Sequence, residues 1–134
     1  MLKILYLINH DYRTEVVTKE ECFEVVSLYS FLNQLASYYL TSIDGYRKSV
    51  KRQLGMKYNI PLYFNKSLLL FSISDKNKQK YWINYFALDD IYYENGKFIF
   101  VFYNGHKISM IISKSKISNS LNKIKAIIDY INKF

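Results

Sequence analysis

A run of basic residues between Gly45 and Lys57 offers the clearest binding chemistry in this sequence. Read as a helix, the run places four cations on one side, because residues three and four positions apart are neighbours: Arg47, Lys48, Lys51 and Arg52. Cations placed this way repel one another by a few tenths of a kcal/mol per pair, roughly, and an anionic partner would offset that cost. Phosphate oxygens suit this role because an arginine can bind two of them at once. The run therefore predicts a phosphate-binding helix face, and a merely solvated face is the alternative.

Four residues close to the helix cations extend the candidate site. Tyr46, Tyr58 and Asn59 could hydrogen-bond to the sugars, phosphates or groove edges of a nucleic acid. Lys57 adds a further positive charge at the end of the run. We include Tyr46, Lys57 and Asn59 with the four cations as candidate DNA-binding residues.

The charge of the whole chain supports a polyanionic partner. The 134 residues have a formal net charge of +8, and this charge is segregated. Residues 41–66 contain six basic residues against one acidic residue, and residues 97–134 contain seven lysines against one aspartate. Residues 1–40 are net acidic, with three basic and five acidic residues. Two basic segments of this kind are typical of proteins that bind nucleic acid.

Residue patterns that would support catalysis or cofactor binding are weak. His10 and His106 have no metal-ligand spacing to each other or to Cys22, the only cysteine. The glycines are isolated, so no phosphate-cradling loop is present, and the pair Asp89-Asp90 is more typical of a turn between strands than of a cation site. Cys22 lies in an apolar-alternating stretch and is expected in the core. We expect no enzyme activity, no cofactor and no metal.

The elements that would position the basic run follow from hydrophobic periodicity. Alternation predicts strands at about 2–9, 12–18 and 21–27. A period of three to four residues then predicts a helix at about 29–41, with Ser27 or Ser30 as its cap. The basic run gives a second helix at 46–54, with Asp44 where the N-cap would be and Gly55 at its end.

Strand patterns return after Gly55 and persist to about residue 112, with turn residues between them. Two Asn-Gly pairs, Asn95-Gly96 and Asn104-Gly105, predict type I′ hairpins. The last segment is amphipathic, with an apolar stripe from Ile117 to Ile131, and Ser118 or Ser120 could cap it. A helix that covers a sheet is the favoured interpretation, and a membrane-surface helix is the alternative.

Together these patterns predict an α+β fold with a single domain over residues 1–134. The expected architecture is an antiparallel β meander that forms a pleckstrin-homology-like split barrel, with an inserted helical segment and a C-terminal amphipathic helix. No segment approaches the roughly 20 apolar residues that span a bilayer, and no signal peptide is recognisable. A cytoplasmic protein without membrane attachment is therefore expected.

An ordered set of landmarks begins at Gly45 with Arg47-Lys48. The others are Ile60-Pro61, Leu70-Phe71, Trp82-Ile83, Phe102 with Asn104-Gly105, and Ile108 onward into the last helix. In order and spacing this set resembles the ComK family of competence transcription factors, and Gly45 with Arg47-Lys48 resembles the Gly-Arg-Lys segment of that family. The resemblance covers about residues 37–132 and weakens in the N-terminal strands.

The resemblance implies a transcriptional activator that binds paired AT-rich DNA boxes, mainly through the minor groove, as a dimer or higher homo-oligomer at the nucleoid. It carries DNA contact onto Arg47 and Lys48, whereas the charge pattern alone suggests Lys51, Arg52 and Lys57. ComK proteins usually continue beyond the last helix into a tail that an adaptor recognises. This sequence ends at Phe134, so it is expected to be a short form without that tail.

Two alternatives follow from the same residues. A pleckstrin-homology-like module could use the basic face to bind anionic lipid headgroups or a protein partner. A short ComK paralogue could instead pair with a full-length ComK and antagonise it. DNA competition against anionic vesicles separates the first alternative from DNA binding, and co-expression with the full-length factor tests the second.

Overall fold

The computed structural model describes residues 3–133, so Leu2, at the start of the first predicted strand, lies outside the described range. The strands of this range are β1 (Ile4–Asn9), β2 (Thr14–Thr18), β3 (Cys22–Val25), β4 (Leu62–Asn65), β5 (Leu68–Ser74), β6 (Lys80–Asn84), β7 (Leu88–Glu94), β8 (Lys97–Phe102) and β9 (Lys107–Met110). The α-helices are α1 (Leu28–Tyr38), α2 (Ile43–Leu54) and α3 (Lys114–Asn132). The mixed α and β composition agrees with the prediction.

The strands form two antiparallel sheets. One has six strands in the order β3-β2-β1-β6-β5-β4, and the other has three in the order β7-β8-β9. β1 lies in the middle of the larger sheet and pairs with both β2 and β6. The N-terminal strands therefore join the strands that follow α2. The predicted antiparallel meander after Gly55 is present in two parts, β4-β5-β6 and β7-β8-β9, because the chain changes sheets between β6 and β7. The sheets do not close into a barrel, and the expected pleckstrin-homology-like split barrel is not confirmed.

A 3₁₀ turn at Tyr85–Ala87 divides the second half of the chain between the two sheets. The side chain of Asn84, which is buried, fixes this turn. Its Oδ1 accepts hydrogen bonds from the backbone N–H groups of Phe86 and Leu69, and its Nδ2 donates to the carbonyl groups of Ile4 and Ser67. One amide thus satisfies four backbone groups where the chain leaves one sheet for the other.

The two Asn-Gly hairpins differ in their turns. Asn95 and Gly96 both have positive φ, 51° and 79°, as the predicted type I′ turn between β7 and β8 requires. Between β8 and β9 only Gly105 has positive φ, at 89°, and its N–H donates to the Phe102 carbonyl. This second hairpin therefore has a three-residue loop that ends in a left-handed glycine, and the predicted type I′ turn is wrong there.

The six-stranded sheet is buried on both faces. One face packs against the smaller sheet and α3, in a core that includes Phe71, Ile83, Phe100 and Ile124. The other face packs against α1 and the start of α2, in a core that includes Leu7, Leu70, Phe31 and Ile43. Trp82 belongs to this second core and is buried. The continuous apolar run at residues 68–71 follows from burial on both faces.

The C-terminal helix is longer than its apolar stripe indicated. α3 begins at Lys114, and Ser113 caps it by accepting from the N–H of Lys116, so the predicted caps Ser118 and Ser120 lie inside the helix. Ile117, Ile124 and Ile127 are buried against the rest of the protein. The apolar stripe is therefore used in the core. No helix in the described range is long and apolar enough to cross a membrane.

Candidate nucleic-acid interface

Helix α2 carries most of the candidate residues, and local interactions define both of its ends. Ser42 is its N-cap and accepts a hydrogen bond from the N–H of Gly45. Asp44, predicted as the N-cap, lies in the first turn, where its charge complements the helix dipole. The helix therefore begins three residues earlier than predicted. Gly55 ends it with a left-handed backbone, φ 71°, as predicted.

One side of α2 is anchored to the protein. Ile43 and Val50 are buried, and Val50 packs in a small core with Ile60 and Ile127 of α3. Tyr46, on the same side of the helix, packs against this small core and against the core between the six-stranded sheet and α1. This spacing of three, four and seven residues is that of an amphipathic helix.

Tyr46 fixes α2 to the start of β4. Its hydroxyl donates to the Pro61 carbonyl over 2.6 Å and accepts from the Tyr63 N–H over 3.2 Å. Burial raises the pKa of this phenol to about 12. The hydroxyl is therefore neutral and already has both partners.

The opposite side of α2 forms the basic face: Arg47, Lys48, Lys51 and Arg52. The two lysines and Arg52 are exposed, and Arg47 is half-buried at the margin. In the described range no carboxylate oxygen lies within 4.0 Å of a charged nitrogen of these residues. Four cations thus share a helix face without an internal counter-charge.

The helix dipole explains only part of this charge. Lys51 and Arg52 lie in the last turn, where cations are stabilising. Arg47 and Lys48 lie near the middle of the helix, where the dipole effect has largely fallen off. Their positive charge therefore has no evident role in folding, as expected for residues that contact an external anion.

The loop from Gly55 to Pro61 continues the basic face. Lys57 and Asn59 are exposed, and Asn59 has a left-handed backbone with φ 49°. Tyr58 between them is 76% exposed. The loop is held by Ile60, which is buried, and by Lys123 of α3, whose Nζ donates to the Tyr58 carbonyl over 2.7 Å.

The structure thus gathers six of the seven candidate residues on exposed or marginal parts of α2 and its following loop. Tyr46 differs because its hydroxyl faces the protein. Sequence reasoning missed Lys123, which α3 brings to the loop from 65 residues away in the chain. The net charge of residues 97–134 was a signal for this segment, but it did not single out that lysine.

The environment of Cys22, the only cysteine in the sequence, differs from the predicted one. Cys22 is exposed on the edge strand β3, not in the core as expected, because Phe23 and Val25 take the inward positions. Its thiol donates to Glu15 over 2.9 Å, which raises the pKa of the thiol to about 11. In the range that the structure describes, no group of three His, Cys, Asp or Glu side chains could hold a metal ion.

The structure also gives the positions of the acidic pair and of the two histidines. Asp89 and Asp90 are exposed within β7, so the expected turn at that pair is wrong. His106 is exposed and follows the β8–β9 hairpin loop, and its Nε2 lies 2.8 Å from the hydroxyl of Tyr6. His10 lies 3.5 Å from Glu15, near the β1–β2 turn.

Comparison with known proteins gives one kind of match. A family model described as ComK protein matches residues 1–133, essentially the whole chain. No curated protein and no solved structure matches the chain. The match includes the N-terminal strands, where the landmarks in the sequence were weakest.

Proposed function

Because the chain belongs to the ComK family of competence transcription factors, we propose that it regulates competence genes by binding double-stranded DNA through α2. The observation that carries this proposal is the basic face, whose cations have no carboxylate partner among the described residues. In this proposal residues 1–134 form a single DNA-binding domain.

Five cations would contact phosphates: Arg47, Lys48, Lys51, Arg52 and Lys57. Each phosphate that they neutralise releases condensed counterions, which supplies affinity that depends steeply on salt. Asn59 would hydrogen-bond to a sugar or groove edge at the end of the contact. Tyr46 would act as a positioning residue, since its hydroxyl holds α2 on β4.

Preference for AT-rich boxes would come from the minor groove. That groove is about 6 Å wide and a helix with its side chains is about 10–12 Å across, so α2 cannot enter it. The helix would lie along the phosphates at the edge of the groove, and the guanidinium of Arg47 or Arg52 would contact a phosphate there while also facing the groove. A-tracts narrow the groove and strengthen its negative potential, which favours these cations there.

Paired boxes would require two copies of the protein, in a homodimer or higher assembly, or a pair formed with a ComK paralogue. Such a protein would act as an activator in the cytoplasm at the nucleoid. These points rest on membership of the family.

Fluorescence anisotropy tests the proposal with a labelled AT-rich duplex and a GC-rich duplex of equal length. We expect tighter binding to the AT-rich duplex and a steep loss of affinity with salt. If five phosphates are contacted, the slope of log K against log salt is about −4.5, at roughly 0.9 per phosphate. A variant with Arg47, Lys48, Lys51 and Arg52 changed to alanine should keep its circular dichroism and lose this binding.

Three results would count against the proposal. They are equal weak binding to both duplexes, unchanged binding by the four-site variant, and binding to anionic vesicles that DNA does not compete away. The last result would favour a lipid-binding role for the same face.

A further inference from the structure

A polar groove lies beside the loop from Gly55 to Pro61 that follows α2. This groove has a volume of about 190 Å³ and lies between the edge of β5 and helix α3. The residues that matter here are Ser72 and Ser74 of β5, Lys116, Asn119 and Lys123 of α3, and Asn59 of the loop. Asn59 therefore belongs both to the candidate interface and to the groove.

The wall of the groove on the sheet side is an unpaired strand edge. β4 pairs with β5 only as far as Leu62 and Leu70, so the end of β5 has no strand on that side in the described range. The carbonyl of Ser74 accepts from Lys116 Nζ over 3.5 Å, which shows that this edge faces the groove. Ser72 lies two residues earlier, so its backbone groups point to the same edge. A free edge presents N–H donors that a ligand can use.

The charge of the groove is entirely positive. Lys80, Lys116 and Lys123 line it, and none of the lining residues is acidic. Lys116 and Lys123 are held by backbone carbonyls and have no carboxylate within 4.0 Å in the described range. An ammonium has three donors, so each lysine keeps donors for an anion after its carbonyl bond.

The groove also offers neutral donors. The side-chain amides of Asn59 and Asn119 form no hydrogen bond within the part of the chain that the structure describes. Together with the lysines and the N–H groups of β5, they make a set of donors that surrounds one cavity. Such a set complements a phosphate, which accepts several hydrogen bonds and carries negative charge.

We propose that this groove binds a backbone phosphate of the same nucleic acid and so extends the contact beyond α2. This inference rests on the proposed function. Lys123 connects the two sites, since its Nζ donates to the carbonyl of Tyr58, next to Asn59. An added peptide strand fits the groove less well, because the free edge covers only the last few residues of β5 and three lysines surround it.

A double variant with Lys116→Gln and Lys123→Gln tests the proposal, because glutamine at 123 can still donate to the Tyr58 carbonyl. The matched control is Lys19→Gln with Lys107→Gln, which removes two exposed charges away from the groove. Anisotropy with the AT-rich duplex is measured over a range of salt. We expect the salt slope of the groove variant to become less steep by about 0.9, because the contact to one phosphate is lost, and the control slope to stay near that of the wild type.

A second measurement does not depend on DNA. Titration of the wild type with inorganic phosphate, followed by nuclear magnetic resonance, should shift the side-chain amide signals of Asn59 and Asn119, and the double variant should lose these shifts. If wild-type protein fails to bind duplex but shows these shifts, the proposed function fails while the groove remains an anion site.

The inference is overturned if the groove variant and its control have the same salt slope, or if phosphate leaves both amide signals unmoved. It is also overturned if the groove variant loses binding to phosphatidylglycerol vesicles while its affinity for duplex is unchanged, because the anion would then be a lipid headgroup.

Discussion

Tyr46 illustrates how neighbouring residues of α2 divide between folding and binding. Its phenol is directed into the protein and holds the Pro61 carbonyl and the Tyr63 N–H. Arg47 and Lys48, which follow it in the chain, have no such partner among the described residues. A tyrosine in a basic run is thus not automatically a nucleic-acid contact, and only the structure separates the two roles here.

We expect Tyr46→Phe to lower the free energy of unfolding by about 1–3 kcal/mol, because two backbone groups lose their partner. Affinity for the AT-rich duplex should change little at a temperature where the variant is folded. Urea denaturation and anisotropy measure the two quantities. Tyr58→Phe is the control, since Tyr58 is exposed and should leave stability unchanged. Lost affinity at unchanged stability would instead make Tyr46 a DNA contact.

The raised pKa of two tyrosines predicts a loss of stability in alkaline solution. Burial raises the pKa of both Tyr6 and Tyr46 to about 12 from the ordinary value of 10.0. The folded state favours the neutral phenols, so their contribution is fully present below pH 10 and is lost as the pH rises towards 12. Denaturation at several pH values should show a smaller alkaline loss for Tyr46→Phe than for the wild type. An equal loss in both proteins would contradict this assignment.

At the scale of elements, the N-terminus of α2 depends on Ser42 and Gly45 together. A Cβ at position 45 would lie 2.8 Å from the Ser42 hydroxyl oxygen, which is too close. The capping bond from the Gly45 N–H therefore needs a glycine donor in this geometry. This contact gives a physical reason for the glycine that precedes the basic face.

A double-mutant cycle tests this dependence. Ser42→Ala should cost about 1 kcal/mol through the lost cap. Glycine to alanine in a helix ordinarily gains about 1 kcal/mol, but Gly45→Ala alone should gain little, because it displaces the cap. In the Ser42→Ala background the usual gain should return. Urea denaturation of the four proteins measures the coupling, and additive effects would show that the contact has no energetic role.

The positions of the three helices could be predicted from the sequence, but the residues at which they begin could be predicted less well. Alternation and helical periodicity located all three helices, because each has one apolar face. The starts of α2 and α3 were misplaced because several serines and one aspartate could serve as caps. Which of them accepts the bond depends on where tertiary packing begins the helix, as Ile43 shows by its burial beside Ser42.

At the scale of the whole molecule, the division into two sheets could not be read from the chain. The sequence indicates a break at Asp89-Asp90, whereas the chain changes sheets at Tyr85–Ala87, and this position depends on the hydrogen bonds of Asn84 to four residues. Three of these partners, Ile4, Ser67 and Leu69, are distant in sequence. Local patterns contain no information about such long-range bonds.

We expect Asn84→Ala to destabilise the protein by more than 3 kcal/mol, since four backbone groups lose a buried partner at about 1–3 kcal/mol each before relaxation. Asn84→Asp keeps the two bonds that Oδ1 accepts and loses the two donated by Nδ2, and its buried charge adds a further cost. Thermal unfolding of both variants measures this. A loss below 1 kcal/mol for Asn84→Ala would show that the sheets are joined independently of this side chain.

The candidate site could be predicted only in its local part. The basic face is a local pattern on one helix, so spacing alone identified its four cations. The contribution of Lys123 and the groove beside β5 depends on how α3 packs against the sheet. Such residues can be found only once the fold brings distant segments together.

Nuclear magnetic resonance of the backbone amides can map directly whether α2 and its following loop contact DNA. An unlabelled AT-rich duplex is titrated into labelled protein at moderate salt. We predict that the largest changes fall between Arg47 and Asn59, with smaller ones near Lys116 and Lys123 and almost none in β7–β9. Changes concentrated in β3 or β7–β9, with α2 unaffected, would contradict the account.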